Sequence, residues 1–396
     1  HTEWAGHPNV FPEPIANPFD DGRFRLWDNF PFLLHNAGYR TAHIGKWHLG
    51  ATHGMRPEDQ GFDDSLYMAG TLYLPEDDRN GINAKRENDM VDRMVWATGR
   101  YRAQFNGGEP FKPGGYLTDY YTDEAVKVIE SNRNRPFFLY LAHWGIHNPL
   151  QATKSDYDAF PEVPDHTLRV YSAMIRALDR GVGRVLAALD ENGLRENTLV
   201  VFTSDNGGAG YIGLPDINKP YRGWKLTHFE GGTHVPFMAR WPARIKPGTE
   251  VTAPIDHVDL YQTFAAAAGA SVPNDRTLDG VDLLPFIRGE VTTLPHDTLF
   301  WREGHQQTVL HEGYKLIRAA RPDKRWLFDL ASDPTEQHNV AQAMPAKVSE
   351  LEALLDAHNA EMVAPLWPSV IDAPQLIDKT GAEAYEPGDD YIYWPN

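Results

Sequence analysis

The chain has no cysteine in its 396 residues, which excludes disulfides, thiolate metal ligands and a thiol nucleophile within it. Positive charge is scarce as well: 37 Lys and Arg stand against 55 Asp and Glu, a formal net charge of −18. That balance argues against a general binder of nucleic acid or of anionic membrane surfaces. An anionic ligand would need a local cationic pocket that overrides the global field. No apolar run approaches the length of a membrane span, and no internal repeat or low-complexity tract is present. Hydrophobic content of 41% and charged content of 23% are those of an ordinary globular protein with a sizeable core.

The pattern along the chain alternates short apolar runs with helical periodicity. His1–Arg25, rich in Pro, Gly and Asn, reads as irregular loop. A helix is expected from Trp27 to Asn36, closed by Gly38, then a strand over Thr41–Ile44. Residues 57–115 mix polar residues, glycines and charges, and read as a long surface excursion. A helix follows over Thr118–Glu130. Phe137–Ala142 and Thr198–Thr203 suit buried parallel strands. Between them Leu168, Tyr171, Ile175, Leu178, Val182, Val185 and Leu189 recur at three and four, predicting a long amphipathic helix. Val235–Trp241 reads as a strand and Asp259–Ala268 as a helix. This order implies an α/β domain over 1–292, with a mostly parallel sheet flanked by helices. From Thr293 the texture changes to short, turn-separated strands (Leu299–Arg302, Gln307–His311, Tyr314–Ile317, Arg325–Asp329) and one helix, Pro345–Glu361. Residues 293–396 are therefore a smaller antiparallel-sheet-plus-helix subdomain, with a tail in which no element is evident.

Four loops carry residues suited to chemistry. Gly38-Tyr-Arg-Thr-Ala-His-Ile-Gly-Lys-Trp-His-Leu-Gly50 puts Lys46 and His48 just after a strand, where glycine lets the backbone turn and side chains face a cleft. A cation and an imidazole two residues apart suit an anionic substrate and proton transfer. The plainer reading is a turn with a surface lysine and a half-buried histidine. His143-Trp-Gly-Ile-His147-Asn-Pro149 follows strand Phe137–Ala142; Gly145 and Pro149 make it a loop, which rules out a helical His-x-x-x-His zinc pair. Thr203-Ser-Asp-Asn-Gly-Gly208 offers two hard oxygen donors, Asp205 and Asn206, of the kind Ca²⁺ or Mg²⁺ takes; the same residues also form ordinary turns. Arg222-Gly-Trp-Lys225-Leu-Thr-His228-Phe-Glu230-Gly-Gly-Thr-His234-Val-Pro236 holds a lysine able to donate to an anionic oxygen.

The order of these motifs resembles that of the type I sulfatases of the alkaline phosphatase superfamily. The succession is G-K-W-H-L-G, a strand with His-x-Pro, a strand with S-D-N-G-G, then K-x-x-x-x-E-G-G-x-x-x-P-F. The resemblance runs from about residue 27 to 362 and includes the turn Leu327-Phe-Asp-Leu-Ala-Ser-Asp-Pro-Thr-Glu336 with Asn339. It implies an alkaline-phosphatase-like fold and hydrolysis of sulfate esters, on a sulfated carbohydrate or related small molecule. It implies a formylglycine whose hydrate attacks sulfur, and one Ca²⁺ with Asp205 and Asn206 among its ligands. Lys46 would steady the nucleophilic hydrate, and His48 would take its second proton when the sulfo-enzyme expels sulfate. His147 and Lys225 would grip sulfate and the leaving oxygen, one acting as general acid. Trp47, His143, Trp144, Arg222, His228 and Arg302 are candidate pocket residues.

The chain departs from that pattern in one place. No Cys is present and no serine begins S-x-P-x-R or S-x-A-x-R, so the formylglycine precursor is absent. The family's first strand, with its paired metal-binding aspartates, is absent too. The expectation is that one or two βα units of about 30 residues each lie upstream of His1, and that the chain alone is inactive. A periplasmic or secreted location is expected for a carbohydrate sulfatase. Phosphate or phosphonate monoester hydrolysis on the same fold, and a glycan-binding pseudosulfatase without turnover, are the alternative readings. No nucleic acid or membrane partner is expected, and the sequence carries no signature of oligomeric state.

Overall fold

A computed structural model describes residues 29–50, 55–87, 89–364 and 372–395. His1–Arg25, expected to be a loop, and the expected first turn at Trp27 lie outside them. Contacts divide the chain into two units: His1–Val200 with Arg240–Thr293, and Val201–Ala239 with Leu294–Asn396. Val201–Ala239 thus groups with the C-terminal residues.

In the first unit, helix α1 (Phe30–Asn36) begins at Asn29, whose side chain accepts from the Phe32 N–H at 3.2 Å, an N-cap that satisfies one orphan donor. It ends where Gly38 takes φ +90° and the Tyr39 N–H donates back to Leu34 O at 3.1 Å, the left-handed exit expected of glycine. The strands that follow are β1 (Arg40–Gly45), β2 (Asp64–Tyr67), β3 (Gly81–Ala84), β4 (Gln104–Phe105), β5 (Phe137–Ala142) and β6 (Leu150–Thr153). One sheet has the order β4-β2-β1-β5. β1 runs parallel to both β2 and β5, and β4 is antiparallel to β2.

Residues 57–115 are thus not a surface excursion. β2 and β4 belong to the sheet, while Phe62, Leu66, Leu72 and Tyr73 are buried. Their apolar positions are interleaved with glycine and charge, so neither a period of two nor one of 3.6 is visible. β5 is parallel as expected but not buried: its residues are half-exposed, with Tyr140 43% accessible.

Helices α2 (Met90–Thr98), α3 (Leu117–Ser131), α4 (His166–Glu191) and α5 (Asp259–Ala268) complete the regular elements longer than one turn. The buried face of α4 is Val170, Ala173, Met174, Ala177, Gly181, Ala188 and Leu189. The larger residues Leu168 and Ile175 of the expected stripe are 40% and 44% exposed. Small residues win the interface because α3 approaches closely: a Cβ on Gly181 would lie 2.6 Å from Thr122 Oγ1. Helix periodicity located α4, but side-chain size misdirected its face.

The second unit opens with β7 (Val200–Thr203), paired with β8 (Phe237–Arg240). Strands β9 (Thr298–Glu303), β10 (Gln306–His311), β11 (Tyr314–Ala320) and β12 (Asp323–Asp329) form an antiparallel meander. Helix α6 (Pro345–Glu361) packs Leu351 and Leu355 against Val309, Leu316 and Leu327 on one face. The opposite face is covered by Phe229, Ile377 and Ile392 against Ile317, Trp326 and Phe328. The tail is not featureless: β13 (Asp372–Leu376) and β14 (Tyr391–Pro395) pair antiparallel. Fourteen intervening residues, among them three Asp, two Glu and two Gly, hid this pairing from a hairpin reading. Among the described residues no helix is long and apolar enough to cross a membrane.

Gly45 closes β1 with φ +110°, and a Cβ there would lie 2.0 Å from Ala142 O. The left-handed backbone alone costs a larger residue about 1–3 kcal/mol, before the clash separates β1 from β5. Gly45→Ala is expected to lower the free energy of unfolding by at least that amount, measured by urea unfolding.

Candidate active-site loops

In the first unit the register β1–β5 ends at Gly45↔Ala142, so the loops that follow the two strands leave from the same edge. Carboxyl ends of parallel strands are where α/β proteins place their sites. The Lys46 N–H donates to Ala142 O at 2.7 Å. The Lys46 carbonyl is held by His43 Nε2 at 2.9 Å. His43 is buried against Trp47 and Phe62, and burial lowers its pKa to about 4, so the ring is neutral and serves as a fixed backbone partner. From that anchor the Lys46 ammonium reaches over the Trp144 ring, 5.6 Å from its centroid.

His147 meets the same indole. Its ring stacks on Trp144 at 3.9 Å with an interplanar angle of 23°. Trp144 is itself fixed by Nε1–H donating to Thr71 O at 2.9 Å. Tyr73 Oη–H donates to both Trp144 O and His147 O at 2.8 Å, and the His147 ring Nδ1 lies 2.6 Å from Asn148 O. A lysine and an imidazole are therefore brought to one aromatic platform, each with its backbone tied down. His48 is half-buried two residues beyond Lys46.

Of the other expected pocket residues here, Trp47 is buried and donates its indole N–H to Met55 O at 2.7 Å, a packing role. His143 faces the other way from its loop: its Nε2 lies near Gly181 of α4. Both its ring nitrogens are buried without a partner among the described residues, and burial lowers its pKa to about 4.

In the second unit β7 delivers Ser204-Asp205-Asn206. Ser204 Oγ–H donates to Asn206 O at 2.9 Å and the Asn206 amide donates to Gly207 O at 2.8 Å. Asp205 is exposed. Two hard oxygens on one loop fit part of a Ca²⁺ shell, which takes six to eight; they cannot hold the ion by themselves. A separate grouping of His311, Glu312 and Glu350 lies on the surface of the same unit and includes neither residue.

The Lys225 loop is laced to this one. The Lys225 N–H donates to Gly208 O at 2.9 Å, and the Gly207 N–H to Gly232 O at 3.0 Å. A Cβ on Gly207 would lie 1.8 Å from Gly231 O, so the G-G and E-G-G pairs exist for close backbone approach. Lys225, Asp205 and Asn206 are consequently one local assembly. Arg222 is not available to a ligand: its guanidinium is spent on Asp378 (2.6 Å) and Asp390 (3.1 Å). Arg302 donates to Val363 O at 3.0 Å. His228 is buried, with Nδ1 2.9 Å from Thr308 Oγ1, and burial plus the Lys315 charge lower its pKa to about 3.

Sequence reasoning did not single out His43, Tyr73, Lys315 or Glu336. His43 and Tyr73 act through one ring atom each on backbone carbonyls, which no spacing rule signals. Lys315 lies in a strand whose neighbours Leu316 and Ile317 are also buried, so alternation does not mark it. Glu336 sits inside the Asp-Pro-Thr-Glu turn, a visible signal whose partner was not.

Comparison with known proteins bears on the family. The sulfatase family profile matches residues 9–270, and the profile described as N-sulphoglucosamine sulphohydrolase, C-terminal, matches residues 223–361. An Escherichia coli K12 protein described as uncharacterized sulfatase YdeN is 33% identical over 82% of this chain and 65% of its own length. N-acetylgalactosamine-6-sulfatase of Canis lupus familiaris is 36% identical over 67% of this chain and 49% of its own length. The chain thus spans about half to two-thirds of the length of these relatives. The crystal structure of Ps i-CgsB in complex with k-i-k-neocarrahexaose superposes with a TM-score of 0.73 at 30% identity, covering 85% of this chain and 75% of that one. A phosphonate monoester hydrolase from Silicibacter pomeroyi, at 20% identity and a TM-score of 0.59 over 85% of this chain and 80% of that one, shares the fold. A profile match over residues 9–270, with the lysine, histidine and Asp-Asn loops built as described, identifies the chain as a member of the sulfatase family.

Proposed function

We propose that the protein to which this chain belongs hydrolyses sulfate esters, with a sulfated carbohydrate as substrate. The observation that carries the reading is the Trp144 platform, where Lys46 and His147 meet at the ends of two paired parallel strands. A cation and an imidazole, each held by its own backbone, provide pre-oriented donors for sulfate oxygens, and preorganisation is what makes such donors effective. Lys225, anchored beside the Asp205–Asn206 loop, donates to the leaving oxygen. His147 or Lys225 delivers the proton that the departing alcohol needs, and His48 accepts the proton that the nucleophile loses. Asp205 and Asn206 would hold part of the coordination shell of a Ca²⁺, which when bound polarises the sulfate oxygens. The formylglycine nucleophile of the family has no precursor in this chain and would come from sequence outside it. Carbohydrate as the substrate class rests on the name of the N-acetylgalactosamine-6-sulfatase relative and on the oligosaccharide in the Ps i-CgsB complex.

The complete protein is expected to release sulfate from an aryl sulfate and from sulfated sugars, measured by ion chromatography, about a hundred times faster than it hydrolyses matched phosphonate and phosphate monoesters, measured by release of their alcohol. Phosphorus-ester turnover without sulfate release would establish the superfamily alternative instead. Tight glycan binding with no turnover of either would establish a pseudoenzyme.

A further inference from the structure

Below the Asp205 and Lys225 loops lies a buried ionic cluster that none of the proposed chemical roles uses. Lys315, on β11, and Glu336, in the turn after β12, are 1% and 0% exposed at the side chain. The Lys315 ammonium lies 2.7 Å from Glu230 Oε1 and 3.0 Å from Glu336 Oε1. Glu336 Oε2 accepts the Glu230 N–H at 2.6 Å, and the second Glu230 oxygen lies 2.7 Å from His234 Nδ1. Glu230 is thus held at its amide and at both carboxylate oxygens. Burial alone would raise its pKa, yet Lys315 and His234 bring it down to about 2. Burying a lysine and two carboxylates is poor value as a source of stability, because desolvation offsets most of the attraction. Such a cluster is better accounted for by the geometry it imposes.

Backbone links lead from it to the two functional loops. Glu230 opens the single helical turn Glu230–Thr233. Within that turn Gly231 N–H donates to Arg222 O at 2.7 Å, and Gly232 O accepts the Gly207 N–H at 3.0 Å. Gly207 belongs to the Asp205–Asn206 loop, and Gly208 O receives the Lys225 N–H. The Arg222 carbonyl is steadied in turn because the Arg222 side chain bridges Asp378 and Asp390.

We infer that Glu230, Lys315 and Glu336 form a positioning cluster that sets, through the Gly231–Gly232 backbone, both the cation-binding oxygens of Asp205 and Asn206 and the placement of Lys225. The inference rests on the reading of those three residues given under the proposed function. It assigns to a buried lysine and the acid of the Asp-Pro-Thr-Glu turn an effect on metal affinity and turnover rather than on folding alone.

The test uses the complete protein carrying Glu336→Gln, which keeps side-chain size and an acceptor for the Glu230 amide, alongside Lys315→Met. Ca²⁺ alone is titrated by calorimetry, and turnover is followed on an aryl sulfate. The Ca²⁺ dissociation constant is expected to rise about tenfold or more. kcat is expected to fall about 10–100-fold with a much smaller change in KM, since a misplacement of about 1 Å can cost that much. If Glu336→Gln folds with wild-type Ca²⁺ affinity and wild-type kcat, and only its melting temperature falls, the cluster is structural and the inference is overturned. Should Lys315→Met fail to fold, Glu336→Gln decides alone. Asp205→Ala is run in parallel: unchanged Ca²⁺ affinity in that variant would overturn the site assignment, and the inference with it, whereas a loss there combined with none in Glu336→Gln overturns the positioning role only.

Discussion

Lys225→Ala in the complete protein lowers kcat by about 10²–10³, the usual cost of removing one preorganised donor to developing negative charge. The loop stays in place in this variant, because its anchors are backbone: the Lys225 N–H to Gly208 O and the Thr227 N–H to Trp224 O at 3.0 Å. The Thr227 hydroxyl donates to Trp224 O as well, at 2.8 Å. The loss is therefore expected in kcat and kcat/KM together, the pattern of an interaction made in the transition state, with the melting temperature within a few degrees of wild type. Steady-state kinetics on an aryl sulfate with a good leaving group and on a sugar sulfate with a poor one sharpen the test. If Lys225 serves the leaving oxygen, the deficit is larger for the sugar sulfate. An unchanged rate on both removes Lys225 from the site.

Acid is expected to destabilise the protein, with three buried histidines contributing. Burial lowers the pKa of His43 and His143 to about 4, and burial with the Lys315 charge lowers that of His228 to about 3. In the unfolded chain each returns to about 6.5. Between the two values the unfolded state binds more protons, so stability rises with pH and is lost as pH falls from about 6.5 toward 4. Each ring contributes on the order of 1.4 kcal/mol per pH unit across that window. Three together are comparable within two units to the whole stability of a typical domain, about 5–15 kcal/mol. Glu230 acts in the same direction lower down: its carboxyl is held at about 2, so its share is present above the ordinary carboxylate range and lost on descent to that value. His234, whose pKa its Glu230 hydrogen bond raises, keeps its contribution in acid and gives it up only as pH climbs through the folded value. Calorimetry from pH 7.5 to 4.5 is expected to show a steep fall of the melting temperature below pH 6.5, shallower in His228→Gln. A flat profile would mean that these rings take up protons without unfolding.

Strands β1 and β5 and helices α4, α5 and α6 were legible from composition and period, as were the loops that leave them. The order of those loops, with Lys46, His147, Asp205, Asn206 and Lys225 at fixed places in each, was legible as a family pattern. Side-chain period marks an element well when one face is large and apolar. It failed for α4, where Gly181 and Ala177 rather than Leu168 or Ile175 face the neighbour. It failed for β2, whose four residues are too few to show a period, and for the β13–β14 pair, whose partners are distant in sequence.

The linear order of residues thus determined that this chain carries a sulfatase's loops on an α/β frame. Only the tertiary structure decided what Arg222 and His228 are engaged with: Asp378 and Asp390 hold the Arg222 guanidinium, and His228 Nδ1 lies against Thr308 Oγ1. It also decided what holds these loops, since Tyr73 and the Lys315 cluster act through contacts across many residues of chain. Sequence records which groups exist; hydrogen-bond partners and desolvation, which set what those groups can do, are properties of the packed molecule.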